Sequence, residues 1–276
     1  MIQEPLPVLE RSRGAARVGF ALRNGRAALA DLAQEGSAKV FLPQLSGPPE
    51  AVFLNTSGGL TSGDRLAYAV TLGAGTSVTG TTQTAERAYK ARSGAARVTV
   101  TAAVGAGAQL FWLPQETILF EDSHLERLTT VDLSPGARLV MAESVVLGRR
   151  AMGEAPRRAR LFDRRRVTLG SRPLWVEAQR LDAATLAGDS AAILGPNAAF
   201  AVVALCGAGA EAAVAGLRSV PVPEGVQSAV TGWNGRCLAR ALAVDGWPLK
   251  QWLGRVIPRL TGCPLPRSWQ MQGTAS

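Results

Sequence analysis

Histidine, cysteine and lysine are nearly absent from this chain. Its 276 residues hold one histidine, His124, and three cysteines, Cys206, Cys237 and Cys263, spaced 31 and 26 residues apart. No C-x-x-C pair and no Cys/His cluster exists to build a structural zinc site. Sparse, unpaired cysteines suit a reducing cytosol. Charged residues are 18% of the chain, below the roughly 25% of an average soluble domain. The longest apolar stretch, Ala198 to Cys206, has nine residues, far short of the roughly 20 a membrane span needs. Residues 1–14 carry Glu4, two prolines and Glu10 but no apolar run, which does not read as a signal peptide. A Ser–His hydrolase would have to use His124. Its neighbours Asp122 and Ser123 cannot complete a triad with it, because adjacent strand residues point to opposite faces.

What the chain does have is apolar material, 47%, and arginine. All but three of its 30 cations are Arg, the exceptions being Lys39, Lys90 and Lys250, and against 21 acids they leave a net charge of +9. This composition excludes disorder, collagen and a disulfide scaffold. Period-2 alternation dominates the first two-thirds and predicts strands over Arg65–Leu72, Ala96–Val104 and His124–Leu133. Arg17–Leu22, Lys39–Leu42, Ala51–Leu54 and Arg138–Val146 are further strand candidates. A weak repeat links Leu72-Gly-Ala-Gly-Thr-Ser-Val78, Val104-Gly-Ala-Gly-Ala-Gln-Leu110 and Leu133-Ser-Pro-Gly-Ala-Arg-Leu139. Its glycines Gly75, Gly107 and Gly136 lie 32 and 29 residues apart. A glycine at one fixed turn position points to a φ > 0 requirement. Regular spacing of one strand–turn–strand unit fits a solenoid or large sandwich of stacked strands; from spacing alone, ordinary hairpin turns of a sandwich fit slightly better.

The last third is Ala-rich. Helices are predicted over Asp182–Leu194 and Ala208–Leu217, with a buried strand over Ala198–Cys206 between them. Gln227–Thr231 and Arg236–Val244 form a hairpin pattern across Gly232-Trp233-Asn234-Gly235. Leu249, Leu253, Val256, Ile257 and Leu260 then recur at helical spacing, with Asp245 as N-cap, Pro248 in the first turn and Pro258 expected to end or distort the helix. No linker divides the chain. The reading is one all-β dominated domain over 1–276, with a few helices in the C-terminal third.

Several constellations could carry chemistry. The loop Asn55-Thr-Ser-Gly-Gly-Leu-Thr-Ser-Gly-Asp64 either cradles an anion or is a shaped turn that presents Asp64; it lacks the Lys of a P-loop. The run Arg157, Arg158, Arg160, Arg164, Arg165, Arg166 reads as a solvated face, an attractor of acidic protein surfaces, or a nucleic-acid patch, and the last makes a basic β-rich nucleic-acid binder the alternative function. Three acids sit in apolar segments: Glu116 after Trp112-Leu-Pro-Gln115, Glu143 within Leu139–Leu147, and Glu177 after Leu174-Trp-Val176. A carboxylate there is costly unless it is paired or lines a wet cavity. Either each pairs with an arginine, or together they handle a hydrated cation without soft ligands.

Five ordered blocks resemble the UreD family of urease accessory proteins, called UreH in some bacteria. Asn55-Thr-Ser-Gly-Gly-Leu-Thr-Ser-Gly-Asp64 resembles its N-x-x-G-G-L-x-x-G-D signature, although Thr56-Ser57 stand where many relatives carry prolines. Thr81-Thr-Gln-Thr-Ala-Glu-Arg-Ala-Tyr-Lys90 is similar to its T-T-Q segment, with Arg87 in place of the usual Lys. Trp112–Phe120, Glu143–Glu154 and Leu265-Pro-Arg-Ser-Trp-Gln270 are similar to three further family blocks. The resemblance implies a β-helix-like scaffold rather than an enzyme. It implies binding to UreF, through it to the GTPase UreG, and to the urease apoprotein. It also implies transient passage of Ni²⁺ through an internal tunnel, with no tightly bound cofactor, in the cytoplasm. On that basis Asp64, Glu116, Glu143 and Glu177 are the tunnel candidates. Leu249, Leu253, Val256, Ile257 and Trp269 are the UreF-contact candidates, with core packing as the competing role for the helix.

Overall fold

The computed structural model describes residues 11–44, 47–188, 190 and 192–270. The chain opens with a hairpin, β1 (Arg13–Arg23) and β2 (Arg26–Gly36), turned over Asn24-Gly25 with both φ values positive; Asn-Gly is the dipeptide that accepts this turn most readily. Strands β3 (Ala38–Phe41) and β4 (Glu50–Asn55) form a second antiparallel pair. The chain then winds. Long strands β5 (Arg65–Leu72), β8 (Ala96–Val104), β11 (His124–Leu133) and β13 (Arg160–Leu169) pair in parallel, one above the other. Strands β6 (Ser77–Thr82), β9 (Gln109–Leu113) and β12 (Arg138–Leu147) stack in parallel opposite them. Short lateral strands β7 (Glu86–Ala88) and β10 (Thr117–Leu119) close each coil.

This is a solenoid. The hairpin-sandwich reading of the glycine repeat fails, because β5 and β6 lie in different sheets and each strand bonds to its equivalent one coil away. The repeated glycines form the corner between the sheets. Gly75, Gly107 and Gly136 all have φ between 65° and 74°, and Gly75 N–H donates to the Ala106 carbonyl of the next corner at 2.9 Å. A residue with a Cβ is strained at such φ.

Beyond the coils, β14 (Arg172–Leu181) pairs antiparallel with β13, a short helix α1 (Ala183–Ala187) follows, and β15 (Ala199–Gly207) pairs antiparallel with β12. Helix α2 (Ala213–Arg218) precedes the hairpin β16 (Val226–Trp233) and β17 (Arg236–Ala243), and α3 (Gly246–Thr261) ends the fold. The first sheet runs β14-β13-β11-β8-β5-β1-β2; the second runs β16-β17-β15-β12-β9-β6-β4-β3.

The two sheets bury different numbers of faces. Strand β5 alternates exposed and buried residues, so the first sheet packs one face inward and turns the other to solvent. Strand β15 is buried almost end to end, because the second sheet is covered on both faces. Its inner face meets the first sheet around Val18, Leu110, Leu125 and Leu139. Its outer face lies under α3, whose Leu249, Trp252, Leu253, Val256, Ile257 and Leu260 form a second apolar cluster with Phe111, Val203 and Leu205. Each such fully buried side chain contributes about 1.5–3 kcal/mol.

The Asp182–Leu194 helix contracts to the five residues of α1, since Gly188 adopts extended backbone; the second Ala-rich helix keeps only Ala213–Arg218. Asp245 does cap α3, accepting from Trp247 N–H. Pro258 does not end it. The ring removes one backbone donor, but buried Ile257 and Leu260 hold the last turn, which stops at Gly262 with φ 67°. No helix among the described residues is long and apolar enough to cross a membrane.

Candidate functional site

The lumen between the sheets is apolar along most of its length and charged at one level. Strand parity puts the charges there. Leu161 and Val167 of β13 face inward, so Asp163 and Arg165, between them at even spacing, must face inward too. Arg160, Arg164 and Arg166 take the opposite face. The basic run is therefore a solvated face for only part of its length. Arg127 enters from β11 by the same parity, and Glu143 enters from β12.

These side chains form one network. Asp163 accepts from Arg127 Nε at 3.0 Å and Nη2 at 2.6 Å, and from Arg165 Nη2. Glu143 accepts from Arg165 Nε at 2.6 Å and from the Thr129 hydroxyl at 3.3 Å, with Arg127 Nη2 at 3.4 Å. Arg165 Nη1 reaches Gln179 Oε1 at 3.1 Å and Glu177 Oε1 at 3.4 Å. Glu177 also pairs with Arg240, whose side chain is about half exposed. The network thus runs from the buried interior to the rim. Burial alone would lower the Arg127 pKa; Asp163 and Glu143 outweigh it and hold Arg127 above its ordinary value. Burial would likewise raise the Asp163 pKa, and the two guanidiniums overcome it, keeping the carboxyl below the usual range.

Beside this network lies a cavity of about 40 Å³, lined by Tyr68, Glu86, Trp112, Thr117, Arg127 and Glu143 among others. It exceeds the roughly 10–15 Å³ a single water requires. Glu86, from lateral strand β7, also lines it and takes no part in the network's ion pairs. Desolvation raises its pKa to about 7; the Arg87 backbone N–H, the Asn55 side-chain amide and the Arg87 charge oppose the rise, and the Asp64 charge adds to it. Burial pushes the Tyr68 phenol well up, and the nearby Glu86 charge pushes it further. Trp112 Nε1 is buried with no hydrogen-bond partner.

The loop at residues 55–64 is a shaped turn around Asp64. The carboxylate accepts from Ser12 N–H at 2.9 Å and Thr61 N–H at 2.8 Å and is buried. Gly59, at φ 151°, lies so close to the Tyr89 ring that a Cβ there would stand 2.4 Å from it. Asn55 Nδ2 donates to the Gly59 carbonyl at 3.3 Å and lies 3.4 Å from both Glu86 oxygens, tying the loop to the cavity acid.

Glu143 and Glu177 are thus joined through Arg165, and Asp64 is near Glu86. Glu116 stands apart. It lies between Gln115 and Thr117, which line the interior cavity, and points the other way. There it faces Lys250 Nζ at 3.6 Å in a groove of about 590 Å³ shared with Trp247 and Trp269. Leu249, Leu253, Val256 and Ile257 are buried within the chain itself, against the second sheet. Trp269 is buried beside them and donates from Nε1 to the Leu113 carbonyl at 2.9 Å. Among the described residues, no three His, Cys, Asp or Glu side chains converge to hold a metal ion.

Sequence reasoning missed Glu86, Arg127 and Asp163, and it read Arg165 only as part of the basic run. For Asp163 and Arg165 a signal existed: the parity set by Leu161 and Val167. For Glu86, between Ala85 and Arg87, there was none, since its burial depends on the neighbouring coil.

A family model described as UreD urease accessory protein matches residues 12–270. A Cereibacter sphaeroides protein named urease accessory protein UreD is 53% identical over 268 residues, covering 96% of this chain and 98% of that protein. Proteins of the same name from Paracoccus denitrificans and Rhizobium leguminosarum bv. trifolii are 46% and 41% identical, each aligned over 95% of this chain and over 94% and 96% of their own lengths. With the solenoid and the five sequence blocks, these matches place the chain in the UreD family of urease accessory proteins.

Proposed function

We propose that this chain is a urease maturation scaffold that passes Ni²⁺, as cargo, through the lumen of its solenoid, making and breaking no covalent bond itself. One observation carries the reading: a lumen apolar along most of its length holds Glu86 and Glu143 on the wall of one small cavity beside the buried ion network. Separate carboxylates give oxygen ligands to a cation that keeps most of its water. A His/Cys cage would hold Ni²⁺ far more tightly, and a deep well stops transit. Arg127 and Arg165 beside Glu143 make the well shallower still, because their charge competes with the cation.

The order of acids gives a route. Asp64 lies near Glu86, Glu143 lies across the cavity, and Glu177 follows through Arg165 toward the rim. Glu116 serves the mouth at the α3 groove. UreF docks on that side, against Trp247 and the groove floored by Trp269, while Leu249, Leu253, Val256 and Ile257 hold α3 in place from beneath. UreG joins through UreF and hydrolyses GTP. The complex assembles on urease apoprotein in the cytoplasm, and the chain needs no tightly bound cofactor.

The test is co-expression of urease, UreF and UreG with Glu86→Gln and Glu143→Gln variants. The change at Glu143 keeps an acceptor beside Arg165 but removes a buried paired charge, so the unfolding midpoint and complex capture of both variants are recorded with the nickel content. Intact complexes with severalfold less nickel per urease active site are expected. Full nickel loading with both variants removes the lumen route.

A further inference from the structure

The outer face of the first sheet has no structural use for its charges. Parallel sheets are normally covered on both faces. The second sheet obeys this, with α2 and α3 packed on β12, β15, β16 and β17; among the described residues no helix packs on the outer face of the first. Most of the charges there are arginines, with Asp31 and Glu126 paired to Arg17 and Arg97. In-register pairing sets Arg13 beside Arg65 and Arg65 beside Arg97, and like charges on neighbouring strands repel. Glu126 relieves Arg97 at 2.9 Å. Arg13, Arg65, Arg160, Arg164 and Arg166 are exposed and make no ion pair among the described residues. The fold therefore keeps a repulsive ladder that contributes nothing to its own stability.

The same face carries one apolar spot, on β13 and β11 toward the β14 edge. Phe162 is 38% exposed, with Arg164 over its ring at 5.1 Å, and Leu128 is half-buried beside them. Ala178, beside Arg164, keeps β14 low there, and Ala67 and Ala69 keep β5 low farther along the sheet. An exposed aromatic with arginines around it is the composition of a protein interface rather than of a solvated face. Six strands about 4.8 Å apart and about eight residues long span roughly 700 Å², close to the roughly 800 Å² per partner of a stable complex. A nucleic-acid site is disfavoured: single strands require a series of stacking aromatics, and Phe162 stands alone.

We propose that this outer face docks an acidic protein surface, and that the surface belongs to urease apoprotein. The proposal rests on the maturation reading above in its choice of partner. It lies on the opposite side of the molecule from α3, so both partners can be held at once.

The experiment measures capture of purified urease apoprotein and, separately, of UreF by the full chain at low and high salt. The variant is Arg65→Glu/Arg164→Glu/Arg166→Glu, whose side chains are exposed and unpaired, so folding is preserved and is checked by circular dichroism. The control, Arg92→Glu/Arg157→Glu/Arg259→Glu, makes the same charge change at exposed sites outside the strands of the first sheet. The expected result is at least about tenfold weaker urease capture by the variant at low salt, a smaller difference at high salt, and unchanged UreF capture, with the control like wild type. Unchanged urease capture by the variant overturns the docking face and leaves the lumen reading intact. Loss of UreF capture instead overturns the choice of partner, and wild-type binding of duplex DNA as tight as that of urease overturns the protein partner. If the wild type captures neither protein, the maturation reading fails with the proposal.

Discussion

Replacing Asp163 by Asn should cost this protein more than any surface change of equal size. The carboxylate is fully buried and bridges two buried guanidiniums, Arg127 and Arg165. Asn keeps the volume but removes the charge and turns an amide N–H₂ toward donors. Glu143 is then the only fully buried acid left to both arginines. Breaking a buried pair from one side costs about 3–5 kcal/mol, a large part of the 5–15 kcal/mol that holds a typical domain folded. Urea unfolding should show a lower midpoint at unchanged slope. The companion variant, Asp163→Leu/Arg127→Met/Arg165→Met/Glu143→Leu, removes all four charges together and leaves Glu177 with Arg240; it should be neutral or more stable by about 1–4 kcal/mol. The pH dependence has a fixed sign. The folded Asp163 pKa lies below its ordinary 3.8, so its contribution is complete above about pH 4 and is lost as pH falls below that. A loss under about 1 kcal/mol in Asp163→Asn would refute the reasoning, since it would mean the two arginines do not depend on this carboxylate.

Glu86 titrates with the opposite sign. Its folded pKa of about 7 exceeds the ordinary 4.5, so its ionisation opposes folding: stability should fall between about pH 4.5 and pH 7, by up to about 3 kcal/mol, and Glu86→Gln should flatten that part of the stability–pH profile. A second change probes the cavity wall. A Cβ on Gly80 would stand 2.8 Å from the Trp112 ring, so Gly80→Ala should destabilise by about 1–3 kcal/mol through overpacking and shift tryptophan fluorescence; an unchanged spectrum and midpoint would contradict the packing.

Much of the fold was legible because the strands of the first sheet have one wet face. The alternation in Arg65–Leu72, Ala96–Val104 and His124–Leu133 predicts β5, β8 and β11 to the residue. Whether these strands hairpin or stack was not legible, since the choice is made by hydrogen bonds to residues about 30 positions away. Strand β2 was missed because both its faces are largely exposed and no alternation marks it. In β13 the string Arg164-Arg165-Arg166 hides its parity, since three like residues in a row face alternately out, in and out. The candidate acids were legible as acids in apolar segments; their separation into lumen, rim and outer groove depends on coil stacking. The apolar stripe of α3 was read correctly as a stripe, but a stripe alone does not say whether its own sheet or a partner covers it.

The central claim is that Ni²⁺ passes through the lumen. Val100 is buried and lines the cavity shared by Glu86 and Glu143, so Val100→Phe places a ring in its roughly 40 Å³ at a cost of about 1–3 kcal/mol. The decisive measurement is nickel per urease active site after co-expression with this variant, with its thermal midpoint and its capture of UreF and urease recorded beside it. The account predicts a folded protein, intact complexes and nickel-poor urease; fully loaded urease from intact complexes would contradict it.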